Sequence, residues 1–156
     1  MDDGDDGDLC GEVRERAVRL LARREHSRRE LCRKLEQRGY DADLVGEVVE
    51  TLAGERLVSD ERFAGEYVRS RSAQGYGPLR IRAELARRGV DDALIDPHLP
   101  DEDFWLEQLR AIHDKRFGPR PPEGLREKAR RGRYLSNRGF SADQVRRVLG
   151  GLADDE

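Results

Sequence analysis

Arginine supplies most of the side chains in this chain whose type and spacing could do chemistry. They fall in three groups: Arg24, Arg28, Arg29 and Lys34; then Arg69, Arg71, Arg80, Arg82 and Arg87 around Tyr76; then Arg130, Arg131, Arg133 and Arg138. A guanidinium presents a planar fork of N–H donors that matches phosphate and carboxylate oxygens. Clustered in this way, such groups can neutralise phosphates of a nucleic acid or lie against an acidic protein surface. Solvated helix faces laced with i,i+4 ion pairs account for part of the arginine content without any partner.

Residue types that would support catalysis lack the necessary spacing. His26, His98 and His113 are scattered, with no cysteine or carboxylate at metal-ligand distance in sequence from a pair of them. No Ser-His-Asp or Cys-His arrangement can be assembled. The acids Asp91, Asp92, Asp101 and Asp103 stand at expected helix starts, where capping and the helix dipole explain them. Gly75-Tyr76-Gly77 has no phosphate-loop lysine, and Pro78 fits the first position of a helix. The expectation is a binding protein, not an enzyme, with no cofactor and no metal.

Charge is segregated along the chain. The net charge is -3, but five aspartates precede Leu9, and Asp154, Asp155 and Glu156 close the sequence. Setting those acids aside leaves the central region basic. Of the 156 residues 40% are charged and 36% hydrophobic, which suits small bundles with much surface better than one sphere. Cys10 and Cys32 are too few for a disulfide framework. The start lacks signal-peptide character, and no apolar run approaches the ~20 residues that span a membrane. A cytoplasmic, membrane-free monomer is expected.

The elements that must position the arginines are legible in a repeat. Arg38-Gly39, Arg88-Gly89 and Arg138-Gly139 lie fifty residues apart. Leu35, Leu85 and Leu135 precede them in register. Tyr40, Val90 and Phe140 follow, then Asp41, Asp91 and Ser141, and then Val45, Ile95 and Val145. Such register marks one helical unit used three times. The spacing predicts an all-α fold, an elongated right- or left-handed array of three tandem three-helix repeats at 12–58, 59–100 and 101–152, between acidic tails at 1–11 and 153–156.

Local patterns fill in the helices. Val13, Ala17, Val18, Leu20 and Leu21 are expected on the inner face of the first helix. Ser27-Arg28-Arg29-Glu30 reads as a capping box opening the second, with Leu31 and Leu35 inward. Gly39 ends it, and Asp41 caps a third helix with Leu44, Val45, Val48, Val49 and Leu52. Gly77-Pro78 takes the place of Ser27-Arg28 in the second repeat, and Pro97 and Pro100 shorten its third helix. Pro119, Pro121 and Pro122 make Phe117–Gly124 a longer connection. With a constant turn between repeats, the second helices would carry the arginine groups along one side as a basic stripe.

One segment is more specific than these patterns. Asp60-Glu61-Arg62-Phe63-Ala64, Tyr67-Val68-Arg69-Ser70-Arg71, Gly75-Tyr76-Gly77-Pro78-Leu79-Arg80-Ile81, Glu84-Leu85 and Arg88-Gly89 together resemble the central signature of the RecX family. The flanking repeats resemble it as well, so the likeness covers about residues 12 to 152. It implies tandem three-helix units and a non-enzymatic role in DNA repair, homologous recombination and the SOS response. It also implies binding to the filament of recombinase RecA on single-stranded DNA, and mostly inhibition of RecA's ATPase, coprotease and strand-exchange activities. The implied partners are RecA and single-stranded DNA phosphates, with double-stranded DNA left open. A helical DNA-binding module acting without RecA is the alternative.

Overall fold

The structure is a computed structural model that describes residues 3–153, with side chains described for 7–150. Among the described residues there are nine α-helices, one 3-10 turn and no strand. The first three helices are α1 (Asp3–Arg23), α2 (Arg28–Gln37) and α3 (Ala42–Gly54). Then come α4 (Asp60–Ala73), α5 (Pro78–Arg87) and the short α6 (Asp92–Ile95), which runs into the 3-10 turn Asp96–His98. The last three are α7 (Glu102–Phe117), α8 (Gly124–Asn137) and α9 (Ala142–Ala153). Helix α1 begins at Asp3 and therefore reaches back through the segment expected to be an acidic tail. The acids Asp154, Asp155 and Glu156 lie outside the described residues.

By compactness the chain divides into two units, residues 1–66 with 85–95, and residues 67–84 with 96–156. The middle set of helices is shared: α4 and α5 each contribute to both units.

In the first unit, α1, α2 and α3 pack on one another. Their shared core is Val13, Ala17, Leu31, Leu35, Val45, Val48, Val49 and Leu52, closed by Val58. Each fully buried Val or Leu here contributes about 1.5–3 kcal/mol from apolar burial. Val18, expected on the inner face, is 40% exposed. One residue beyond Ala17 is a rotation of about 100°, and that carries Val18 past the edge of the stripe. The capping box at α2 forms as the sequence predicts: Glu30 N–H donates to Ser27 Oγ, and Ser27 N–H donates to Glu30 Oε1, both at 3.1 Å. Asp41 caps α3 by accepting from the amides of Asp43 and Leu44. Just past the Glu55 C-cap of that helix, Arg56 adopts a left-handed φ of 61° while its amide donates to Ala53 O.

In the second unit, α7, α8 and α9 bury Trp105, Leu109, Leu135, Phe140, Val145, Val148 and Leu149. The Trp105 indole N–H donates to Pro100 O at 3.0 Å, and the ring meets Phe140 edge-on. A second capping box, unread in the sequence, opens α9. Ser141 N–H donates to Gln144 Oε1 and Gln144 N–H returns to Ser141 Oγ.

Candidate binding surface

The α4–α5 turn is built for close approach. Gly75 has a φ of +91°, which favours glycine, and Pro78 pre-sets the first residue of α5. The turn lies against the Arg138–Gly139 corner between α8 and α9. Gly77 N–H donates to Arg138 O at 2.8 Å and Leu79 N–H to Gly139 O at 3.0 Å. A Cβ at Gly77 would sit 2.5 Å from the Gly139 carbonyl, so the contact is between two backbones and only glycine fits.

Tyr76 stands at the centre of that turn under three guanidiniums. The Arg71 carbon Cζ is 3.8 Å from the ring centroid, and those of Arg80 and Arg138 are each 4.3 Å away. The ring's negative face attracts each cation. One carboxylate, Glu84, serves the group: Arg71 reaches it at 2.8 Å, Arg80 at 3.5 Å, and the Tyr67 hydroxyl donates to it at 2.7 Å. Burial opposes ionisation of Glu84, but the hydrogen bonds from Arg71 and Tyr67 outweigh it and hold the carboxyl below its ordinary range. Arg138 donates to Gln74 O and Gly75 O, and Arg80 donates to Asn137 O. Arg71 Nε is buried without a hydrogen-bond partner. Three positive charges against one negative leave this surface cationic.

Among the residues singled out in the sequence, the structure thus brings together Arg71, Tyr76 and Arg80. Sequence reasoning named Arg138 in the third basic group and Glu84 in the family signature, but did not bring either to Tyr76. The sequence places Arg138 beside Gly139 in the fifty-residue register, and does not show that it joins Tyr76. Arg82 pairs instead with Asp96, and Arg69 is exposed on α4.

In the first unit the predicted residues serve varied ends. Arg24 donates to Glu25 O and Glu30, and Arg28 pairs with Glu50 while its amide donates to Asp60 Oδ1. Lys34 Nζ lies 3.1 Å from Nε2 of buried His26, whose Nδ1 lies 3.0 Å from Arg24 O. The ammonium can only donate, so Nε2 accepts and the proton sits on Nδ1. Burial, reinforced by the Arg24 charge, pushes the His26 pKa below its usual value. Arg29 and Arg87 are exposed and have no side-chain hydrogen bond or ion pair among the described residues.

The third arginine group separates. Arg133 is exposed on α8. Arg130 holds Glu127 and lies over Phe117, and hydrogen bonds from Arg130 and Arg131 take the Glu127 pKa down to about 2. Arg131, expected on the binding face, is only 8% exposed. It donates to Arg120 O at 2.7 Å and to Nε2 of buried His113 at 3.1 Å. Its position faces the long α7–α8 connection, whose carbonyls need a donor, so its charge is used inside the bundle.

The fold and this surface define a class: an all-helical protein of tandem three-helix units whose arginines gather at the turns between helices. Family models for the first, second and third three-helix domains of RecX match residues 14–52, 59–99 and 102–149. The chain belongs to the RecX family. The regulatory protein RecX of Halorhodospira halophila is 49% identical over 145 residues, covering 92% of this chain and 90% of that protein. A relative of the same description from Pseudomonas fluorescens is 43% identical, covering 92% and 94%. The crystal structure of RecX from Lactobacillus salivarius shares the fold, with a TM-score of 0.80 at 21% identity over 94% of this chain and 98% of that one. Among the described residues no helix is long and apolar enough to cross a membrane.

Proposed function

We propose that this protein regulates the recombinase RecA by occupancy rather than by catalysis, docking in the cytoplasm on the filament that RecA forms on single-stranded DNA. The observation that carries the reading is the Tyr76 cluster, where Arg71, Arg80 and Arg138 share one ring and one carboxylate. Its excess positive charge suits backbone phosphates or an acidic face of a RecA subunit. Exposed Arg29, Arg87, Arg130 and Arg133 supply further weak contacts, which add through effective concentration once one is made. A bound regulator of this kind restrains filament turnover and strand exchange without reacting.

The test follows ATP hydrolysis by RecA on single-stranded DNA while the protein is added. No change at stoichiometric amounts would sink the inhibitor reading. Replacing Arg80 and Arg82 together by Gln keeps two methylenes of each stem and removes two charges, and should weaken inhibition with the helical circular dichroism intact. If both contact phosphates, the log–log salt slope of filament binding should fall by roughly 1.4, at about 0.7 per phosphate on a single strand. Tight binding to naked DNA with full salt dependence, and no effect on RecA, would favour the stand-alone DNA-binding module instead.

A further inference from the structure

Two docks of one design recur in this chain, fifty residues apart. In the first unit the turn opening α2 sits on the Arg88–Gly89 corner. Ser27 Oγ donates to Arg88 O at 2.7 Å, the Arg29 stem fills the space where a Gly89 Cβ would lie, and Arg88 Nε faces Glu30 at 3.8 Å. In the second unit the turn opening α5 sits on the Arg138–Gly139 corner. Gly77 N–H donates to Arg138 O at 2.8 Å, the Arg80 stem fills the Gly139 space, and the Arg138 guanidinium donates to Gln74 O and Gly75 O. Each dock has three parts: a corner carbonyl that accepts from the residue ahead of a helix, a glycine that admits the first-turn side chain, and a corner arginine that finds an acceptor.

The remaining corner, Arg38–Gly39, has the same backbone and, among the described residues, none of these contacts. Arg38 has φ -82° and ψ 0°, against -75° and -12° at Arg138, and Gly39 has φ +96°, against +107° at Gly139. Among the described residues, no atom beyond its chain neighbours lies within 4 Å of a Cβ placed on Gly39. Among the described residues no donor reaches Arg38 O, and the exposed Arg38 side chain has no hydrogen-bond or ion-pair partner. The two turns that make these docks, ahead of α2 and α5, are already used within the chain. The register equivalent of Ser27 and Gly77 is Glu127, which lies inside α8, and the N-cap of that helix, Glu123, makes no side-chain cap hydrogen bond.

We propose that the Arg38–Gly39 corner is a docking site for a helix-opening turn of a different protein, one with a hydroxyl or free amide donor just ahead of the helix and an acceptor facing Arg38. Resting on the functional reading above, that protein is a RecA subunit of the filament. The corner then extends the repeat-to-repeat interface onto the partner and adds a directional, protein-specific contact to the charge-driven ones.

The experiment measures binding of the full-length protein to RecA filaments on single-stranded DNA. It compares the wild type with Gly39→Asn, Arg38→Ala and Arg19→Ala, the last removing a charge elsewhere. Asn tolerates positive φ, and Arg38→Ala leaves the backbone alone if Gly39→Asn folds poorly. Loss of the corner should weaken binding by roughly tenfold in both corner variants, the effect of a charge-assisted hydrogen bond. Arg19→Ala should bind as the wild type does. Wild-type affinity in folded Gly39→Asn and in Arg38→Ala would overturn the corner while leaving filament binding standing. An equal loss in Arg19→Ala would reduce it to net charge, and a wild type that does not bind filaments would remove both proposals.

Discussion

The sharpest test of the repeat-to-repeat dock compares alanine at two glycines that share a backbone conformation. Gly39 and Gly139 have φ of +96° and +107°, so alanine at either carries left-handed strain of about 1–2 kcal/mol. Reduced freedom of the unfolded chain returns about 0.4–1 kcal/mol at both positions. The surroundings differ. Among the described residues a Cβ at Gly39 meets nothing within 4 Å, whereas one at Gly139 would lie 2.4 Å from Arg80 Cβ and 3.0 Å from Arg80 N. Those atoms belong to the first turn of α5 and cannot swing away as a side-chain tip can. Overpacking of this kind costs about 1–3 kcal/mol. If the dock opens instead, the Gly77 N–H and Leu79 N–H bonds are lost, at about 1 kcal/mol each. Gly39→Ala should therefore cost about 1 kcal/mol and Gly139→Ala about 3 kcal/mol. In thermal unfolding followed by far-UV circular dichroism, the second variant should melt about 4–8 °C below the first. Equal losses in the two variants would refute the idea that Gly139 protects a packed interface.

Other consequences can be checked in the same assays. Arg131→Met should lower stability by about 2–3 kcal/mol, because it leaves His113 Nε2 and Arg120 O without their donor, while Arg133→Ala should stay within about 0.5 kcal/mol. Arg56→Gly should raise stability by about 1 kcal/mol in urea unfolding, since Arg56 holds a left-handed φ at the end of α3. For His26 the folded state binds its proton less readily than the unfolded chain does, burial being the main cause. Its contribution is therefore complete above the unfolded value of about 6.5 and is lost as pH falls from there through the lower folded value. A His26→Gln variant should show a flatter fall in melting temperature over that acidic range.

The sequence by itself determined the helices and their ends, because those depend on neighbours along the chain. Ser27 and Glu30 satisfy each other within one turn, Asp41 and Asp101 cap the amides just after them, and Gly39, Gly89 and Gly139 supply left-handed backbone wherever a second helix stops. Apolar spacing also identified most of the core, from Leu31 and Leu35 to Val148 and Leu149. The arginines were another matter. Their groups could be counted, but a guanidinium on a long stem takes its role from whatever the fold brings near it. Tertiary structure alone decided that Arg131 turns inward to His113, that Lys34 serves His26, and that Arg138 joins Arg71 and Arg80 over Tyr76. It also separated three corners that look alike in sequence. Arg88–Gly89 and Arg138–Gly139 are filled by the turn of a neighbouring repeat, and Arg38–Gly39 stands open, because a corner's backbone is set locally while its occupant comes from a distant part of the chain.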